Sequence, residues 1–129
     1  MLAAIIAVIL AGNISSVLTV PLDVVVEKVW TTEEVKQLAI TKAKKYGLHK
    51  KRFLATLECE NGFRAKGQSE HYYKGVREDS WGVAQIHLPA HPTITREMAE
   101  DPEIALEFMA QKWSNDEASL WSCYTMLFK

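Results

Sequence analysis

Residues 53–63 read FLATLECENGF, a stretch that combines a helical hydrophobic pattern with one misplaced charge. On a wheel that turns about 100° per residue from Phe53, Leu57 falls at about +40° and Glu60 at about −20°. This pattern predicts a helix over residues 49–60 whose apolar stripe includes a carboxylate. A charged group on a stripe that faces the core costs free energy unless it is paired.

Glu60 also lies in the last turn of this predicted helix, because Asn61-Gly62 follows and both residues tolerate a left-handed backbone. The negative end of the helix dipole disfavours an anion there. We expect both effects to raise the pKa of Glu60, and a carboxylic acid protonated near neutral pH suits general-acid cleavage of a glycosidic bond. The alternative is a structural carboxylate paired with Arg64, Lys66 or a backbone donor.

Helices are also predicted on both sides of this segment. A threonine and a glutamate with the spacing of a capping box start a helix over residues 33–46. Later, Asp101 has the character of an N-cap and Pro102 that of a first helical residue. A last helix is predicted over residues 118–128. The intervening residues 63–93 are rich in glycine, proline and aromatic residues, which predicts loops and a short hairpin inside a mainly helical chain.

The composition sets a domain boundary and excludes one class of partner. The chain has 129 residues, with 15 basic and 16 acidic side chains, so no basic surface for nucleic acid is expected. Residues 1–26 contain a single charged side chain, Asp23, whereas charge is dense from Glu27 onward. We therefore divide the chain into an apolar segment, residues 1–26, and a domain over residues 27–129.

The apolar N-terminal segment is typical of a signal-peptide core or a membrane anchor. Either would place the domain outside the cytoplasm and allow association with the membrane. Asn13 and Pro21 interrupt the apolar run, and no lysine or arginine precedes it. The alternative interpretation is a core strand or helix of the domain itself.

Several short motifs resemble one family. Residues 60–63, Glu-Asn-Gly-Phe, resemble the Glu-Ser-x-Phe signature of the lytic transglycosylases of the lysozyme superfamily. Residues 80–86, Ser-Trp-Gly-Val-Ala-Gln-Ile, resemble their Ser-x-Gly-Leu-x-Gln-Ile segment, and also the Tyr-Gly-x-x-Gln-Ile core of animal lysozymes. Residues 101–105 resemble a later helix start, and Trp121 and Tyr124 resemble residues of the closing helix.

The resemblance implies a mainly α, α+β lysozyme-like fold, in which a helical domain and a small irregular or β-hairpin lobe form a cleft. It implies that Glu60 is the acid/base that cleaves the β-1,4 bond between N-acetylmuramic acid and N-acetylglucosamine in peptidoglycan. Ser80 stands where lysozymes with two carboxylates have an aspartate, which favours the transglycosylase branch. In that branch the C6 hydroxyl of N-acetylmuramic acid attacks, and a 1,6-anhydro end results.

Substrate contacts are also implied by the resemblance. Ser80, Gln85 and Tyr124 match polar family positions, while Trp81 and Tyr73 are candidates for stacking on sugar faces. For Gln85 the alternative is capping of backbone groups. For Tyr124 and the other aromatic residues it is packing.

Cys59 and Cys123 each adjoin a residue that matches the family, Glu60 and Tyr124 respectively. The resemblance brings those helices together at the cleft, so we expect a disulfide between the two cysteines. The alternative is two buried thiols.

Other functions compete with the transglycosylase interpretation. If Asp79 instead of Ser80 faces the cleft, or if a bound water attacks, the chain is a hydrolytic lysozyme; Glu78 is another nearby carboxylate. A non-catalytic module that binds wall glycan, or a helical interaction domain with a salt-bridged Glu60, are rivals of another class.

No metal or cofactor is expected. The histidines of the central region have spacings that do not fit a helix-borne ligand pair; they are His71, His87 and His91. The expected partner is the glycan strand of peptidoglycan, bound by a monomer.

Overall fold

The computed structural model describes residues 27–129, so the predicted signal or anchor segment, residues 1–26, lies outside the described residues. Over this range the chain forms five α-helices. They are α1 (Thr32–Lys45), α2 (Lys50–Asn61), α3 (Arg96–Ala99), α4 (Pro102–Ser114) and α5 (Ser122–Phe128). None of these helices is long and apolar enough to cross a membrane.

Two short antiparallel hairpins form the central lobe. Their strands are β1 (Tyr72–Tyr73), β2 (Val76–Arg77), β3 (Ser80–Trp81) and β4 (Ile86–His87). In the first hairpin β1 pairs with β2, and in the second Ser80 lies opposite His87. The expectation of a mainly α chain of α+β class with a hairpin lobe is confirmed.

The helices begin and end where local side chains satisfy their backbone groups. The Glu34 N–H donates to Thr31 Oγ1 at 3.1 Å, within the predicted capping box that starts α1. The Glu103 N–H donates to Asp101 Oδ1 at 3.0 Å at the start of α4. Gly62 ends α2 with a φ of +59°, in the left-handed region that glycine adopts without steric cost.

The start predicted for the last helix, residue 118, is wrong. A 3₁₀ turn covers Ala118–Leu120, Trp121 has an extended backbone, and α5 begins only at Ser122. The reason is tertiary, because the Trp121 indole N–H donates to the carbonyl of buried Ala84 at 2.7 Å. That contact fixes Trp121 outside the helical conformation. The short helix α3 was not predicted either.

The core lies between α1, α2 and α4, with the central lobe on one side. The fully buried apolar side chains include Val35, Phe53, Leu57, Val83, Ile86, Leu106 and Met109. Burial of each such side chain stabilises the fold by about 1.5–3 kcal/mol. At the edge of α1 and α4, Glu107 accepts hydrogen bonds from Lys42 and Lys45, at 2.8 and 2.9 Å. These contacts join the two helices outside the core.

Gly82 fixes the lobe against the helices. Its φ is +81°, and a Cβ at this position would lie 1.8 Å from the carbonyl oxygen of Ala99 in α3. Its own carbonyl accepts a hydrogen bond from the Asn61 amide of α2 at 3.1 Å. The lobe is thus in direct backbone contact with the helical part, which positions the residues that follow.

Candidate active site

Glu60 is half-buried in the last turn of α2 and accepts a hydrogen bond from α5. Its Oε2 atom accepts from the Cys123 N–H at 3.2 Å. The two cations considered as partners bind elsewhere, since Arg64 donates to Asn61 at 2.7 Å and Lys66 pairs with Glu27 at 2.6 Å. The alternative that Glu60 pairs with Arg64 or Lys66 is therefore wrong. The partner of Glu60 is a backbone donor, the third partner considered for a structural carboxylate.

Burial raises the pKa of Glu60 from 4.5 to about 7. The hydrogen bond from the Cys123 N–H opposes this effect, and the negative charge of Glu78 adds to it. A buried carboxyl is harder to ionise because the charged form loses its hydration. Near neutral pH a substantial fraction of Glu60 therefore carries the proton that a general acid must donate.

A disulfide ties the two helices that meet at Glu60. Cys59 of α2 and Cys123 of α5 are bonded, with their Cα atoms 6.0 Å apart. This is the pairing expected from the resemblance. Cys59 directly precedes Glu60, and Cys123 supplies the N–H that binds its carboxylate. The bridge therefore fixes the donor beside the acceptor.

Two depressions meet at Glu60 and together form what we call the Glu60 cleft. The His91 side has a volume of about 300 Å³ and the His71 side about 250 Å³. Four residues line both sides, namely Glu60, Glu78, Gln85 and Ser122. Glu60 thus lies in the wall where the two sides join, and an extended ligand that fills both passes its carboxyl.

Gln85 caps backbone groups of the lobe, the alternative considered for it, and its place in the cleft leaves the substrate contact a prediction. It lines both sides of the cleft, and its amide donates to the carbonyls of Gly82 at 2.8 Å and Gly67 at 3.2 Å. The residue has a φ of +46°, unusual for a side chain other than glycine. These backbone contacts hold the lobe in shape at the floor of the cleft.

The structure corrects the expectation for Ser80. Its side chain is only 1% exposed and donates to Glu78 Oε2 at 2.7 Å, so it lies behind the cleft wall and lines neither depression. The carboxylate that lines the cleft beside Glu60 is Glu78. Asp79 is exposed, accepts from the Trp81 indole at 2.6 Å and lines neither depression. The alternative of Asp79 as the second carboxylate is therefore wrong.

Three aromatic residues expected at the substrate lie elsewhere. Trp81 packs against the Arg96 guanidinium, which lies 4.0 Å from the ring centroid. Tyr124 packs edge to face on Trp113 and lines a separate depression of about 420 Å³. Tyr73 is 74% exposed on β1. None of the three lines the Glu60 cleft.

Sequence reasoning underrated Glu78 and missed Ser122 as cleft residues. The sequence contains only a partial signal for Glu78. Successive side chains of an extended segment alternate between its two faces, so Glu78 and Ser80 share a direction that Asp79 does not. The alternation relates Glu78 to Ser80 but does not show which face meets the cleft, because Ser80 itself lies behind the cleft wall. No local pattern marks Ser122, because it reaches the cleft only through the packing of α5.

Comparison of this chain with protein-family models, with curated proteins and with solved structures finds no match. The resemblance to the lytic transglycosylases therefore stays a prediction from short motifs. Function is argued from the geometry and chemistry of the Glu60 cleft.

Proposed function

We propose that this chain cleaves the β-1,4 glycosidic bond between N-acetylmuramic acid and N-acetylglucosamine in peptidoglycan, with Glu60 as the acid/base. One observation carries the proposal. A half-buried carboxyl whose pKa is raised to about 7 lies in the wall shared by the two sides of an elongated cleft. A glycan strand that fills both sides presents one glycosidic bond to this acid.

The reaction needs proton transfer at a single carboxyl and no cofactor. Glu60 donates its proton to the glycosidic oxygen as the carbon–oxygen bond breaks. The C6 hydroxyl oxygen of N-acetylmuramic acid then attacks the anomeric carbon, and its proton passes to the Glu60 carboxylate. The product carries a 1,6-anhydro end and Glu60 is protonated again. The motif at residues 60–63, which resembles the signature of the lytic transglycosylases, supports this branch over the two-carboxylate schemes of glycoside hydrolysis.

Peptidoglycan lies outside the cytoplasm, so the proposal requires export of the chain. Residues 1–26 are the candidate signal or anchor, and in the second case the domain acts as a monomer at the membrane surface. The disulfide between Cys59 and Cys123 agrees with an oxidising compartment, because disulfides persist there and are rare in the cytosol.

Hydrolysis of the same bond is a second candidate, favoured by Glu78. A carboxylate that lines both sides of the cleft with Glu60 is placed to activate a water molecule. The product would then carry a reducing end and be one water heavier than the anhydro form.

The test is mass spectrometry of soluble products after the full chain meets purified peptidoglycan. We expect anhydro-muropeptides from the wild type and none from Glu60→Gln, which keeps the shape of the side chain but cannot donate the proton. Glu58→Gln is the matched control, because Glu58 is exposed in the same turn of α2 and lines neither depression. Products one water heavier would establish the second candidate. If the folded wild type binds glycan but releases no product, the remaining interpretation is a non-catalytic module that binds wall glycan.

A further inference from the structure

Glu78 is the one carboxylate of the Glu60 cleft, within residues 27–129, that lines both of its sides and takes no part in the proton transfers of the proposed transglycosylase reaction. Glu78 is half-buried and precedes β3 by two residues. A carboxylate in such a position is either a structural acceptor or a charge that acts on the substrate. The way it is held favours the second role.

Two buried serines hold the Glu78 carboxylate, Ser80 from behind the cleft wall and Ser69 from the His71 side of the cleft. Ser69 Oγ donates to its Oε1 atom at 3.0 Å, and Ser80 Oγ donates to its Oε2 atom at 2.7 Å. These serines are 5% and 1% exposed, and the Ser69 N–H donates to the Ser80 carbonyl at 2.8 Å. Each carboxylate oxygen has a further lone pair that these bonds leave free. The charge is therefore fixed in direction before any ligand arrives.

Cleavage of a glycosidic bond develops positive charge. As the leaving oxygen departs with the bonding electrons, the charge spreads over the anomeric carbon and the ring oxygen. A pre-oriented negative group in a site with little water stabilises this charge more than solvent does, because it needs no reorganisation during the reaction. Glu60 begins the step as a neutral acid and becomes a carboxylate only as its proton leaves, so it offers no fixed negative charge before the bond begins to break.

We propose that Glu78 is a second catalytic carboxylate of this chain, which stabilises the oxocarbenium-like charge while Glu60 transfers the protons. The proposal rests on the proposed function and deepens it. Glu78 forms no covalent bond and takes no part in the proton transfers. The proton of the attacking C6 hydroxyl goes to Glu60, so the balance of the reaction is unchanged.

The negative charge of Glu78 acts on Glu60, because it contributes to the raised pKa of that carboxyl. The other titratable or charged residues that line the cleft are Arg64, Glu70, His71, His87 and His91. Each of these lines only one side of the cleft, whereas Glu60 and Glu78 line both. Removal of the Glu78 charge is therefore expected to lower the pKa of Glu60 and to shift the alkaline limb of the rate profile to lower pH.

The experiment measures turnover of soluble glycan strands by the full chain carrying Glu78→Gln, Glu78→Asp or Asp79→Asn. We expect Glu78→Gln to lower kcat on the order of a hundredfold, the effect of losing one pre-oriented electrostatic group, with little change in KM. Glu78→Asp keeps the charge and should retain part of the rate. Asp79→Asn removes an adjacent carboxylate outside the cleft and should leave kcat as in the wild type.

The outcomes separate this inference from the proposed function. Wild-type kcat in Glu78→Gln, with Glu60→Gln inactive, overturns the role of Glu78 and leaves the proposed function intact. Equal losses in Glu78→Gln and Glu78→Asp show a structural requirement for the side chain and also overturn it. Products one water heavier, lost in Glu78→Gln, assign the residue to water activation instead. Absence of any product from the folded wild type overturns the proposed function first.

Discussion

Glu60 is a carboxyl whose environment, and not its chemistry, makes it an acid near neutral pH. Burial raises its pKa from 4.5 to about 7. Because the reaction starts from the protonated form, we expect the rate of glycan cleavage to fall as pH rises through about 7. The measurement is kcat for the full chain across that range. A rate that stays level well above pH 7 would show that another group is the acid.

The same titration has a signature in stability that needs no substrate. In the unfolded chain Glu60 has its ordinary pKa of 4.5, and the folded value is raised to about 7. Its contribution to stability is therefore fully present below pH 4.5 and is lost as pH rises through about 7. The glutamine of Glu60→Gln does not ionise, so the variant does not lose stability in this way. Its amide oxygen can still accept a hydrogen bond from the Cys123 N–H. We expect the unfolding temperature of the variant to rise relative to that of the wild type as pH increases from 4.5 to about 7, and the difference to persist at higher pH, whereas Glu58→Gln should show no such difference.

At the scale of elements, the start of α5 depends on one indole group. The Trp121 N–H donates to the carbonyl of Ala84, and both residues are buried. Trp121→Phe leaves that carbonyl without its donor, which costs about 1–3 kcal/mol of the free energy of unfolding. Urea denaturation measures the loss. Trp81→Phe is the control, because its indole donates to the exposed Asp79 and should matter less. Equal losses in the two variants would contradict this account.

Helix starts were predictable where the signal is local. Thr31 with Glu34, and Asp101, satisfy backbone groups within one turn, so their residue types are sufficient to locate the start. The break at Trp121 was not predictable, because its cause is a carbonyl 37 residues earlier in the chain. Residue types near positions 118–128 favour a continuous helix, and the tertiary hydrogen bond overrides them.

At the scale of the whole molecule, the Glu60 cleft combines groups from three separate parts of the chain. Glu60 was predictable because the helical wheel places this charged residue on the apolar stripe of its helix. The choice between Glu78 and Asp79 depends on how the lobe turns before β3, which Ser69 settles through its contacts with Ser80 and Glu78. Residue types within the lobe do not show that pairing, so the site around Glu60 was only partly predictable.

The disulfide is the covalent link between α5 and α2, beside the hydrogen bond from Cys123 to Glu60 and the packing of Tyr124 on Trp113. It joins residues 64 apart in sequence, with the whole central lobe and α4 between them. In a chain of this size, loss of such a bridge costs on the order of 2–5 kcal/mol, because the unfolded chain gains freedom. We expect the double variant Cys59→Ser with Cys123→Ser to lose stability by this amount in urea denaturation.

The double variant should also change Glu60. If α5 loosens, Glu60 loses the bond from the Cys123 N–H, which lowers its pKa, and also part of its burial, which raises its pKa and is the larger cause. Because burial is the larger cause, the pKa of Glu60, followed by NMR of its carboxyl carbon, is expected to fall below about 7 in the variant. Wild type treated with a thiol reductant should reproduce both effects, and the variant should not respond to it. A variant that keeps the stability of the wild type and the same Glu60 titration would mean that packing alone positions α5, and that the disulfide does not influence the pKa of Glu60.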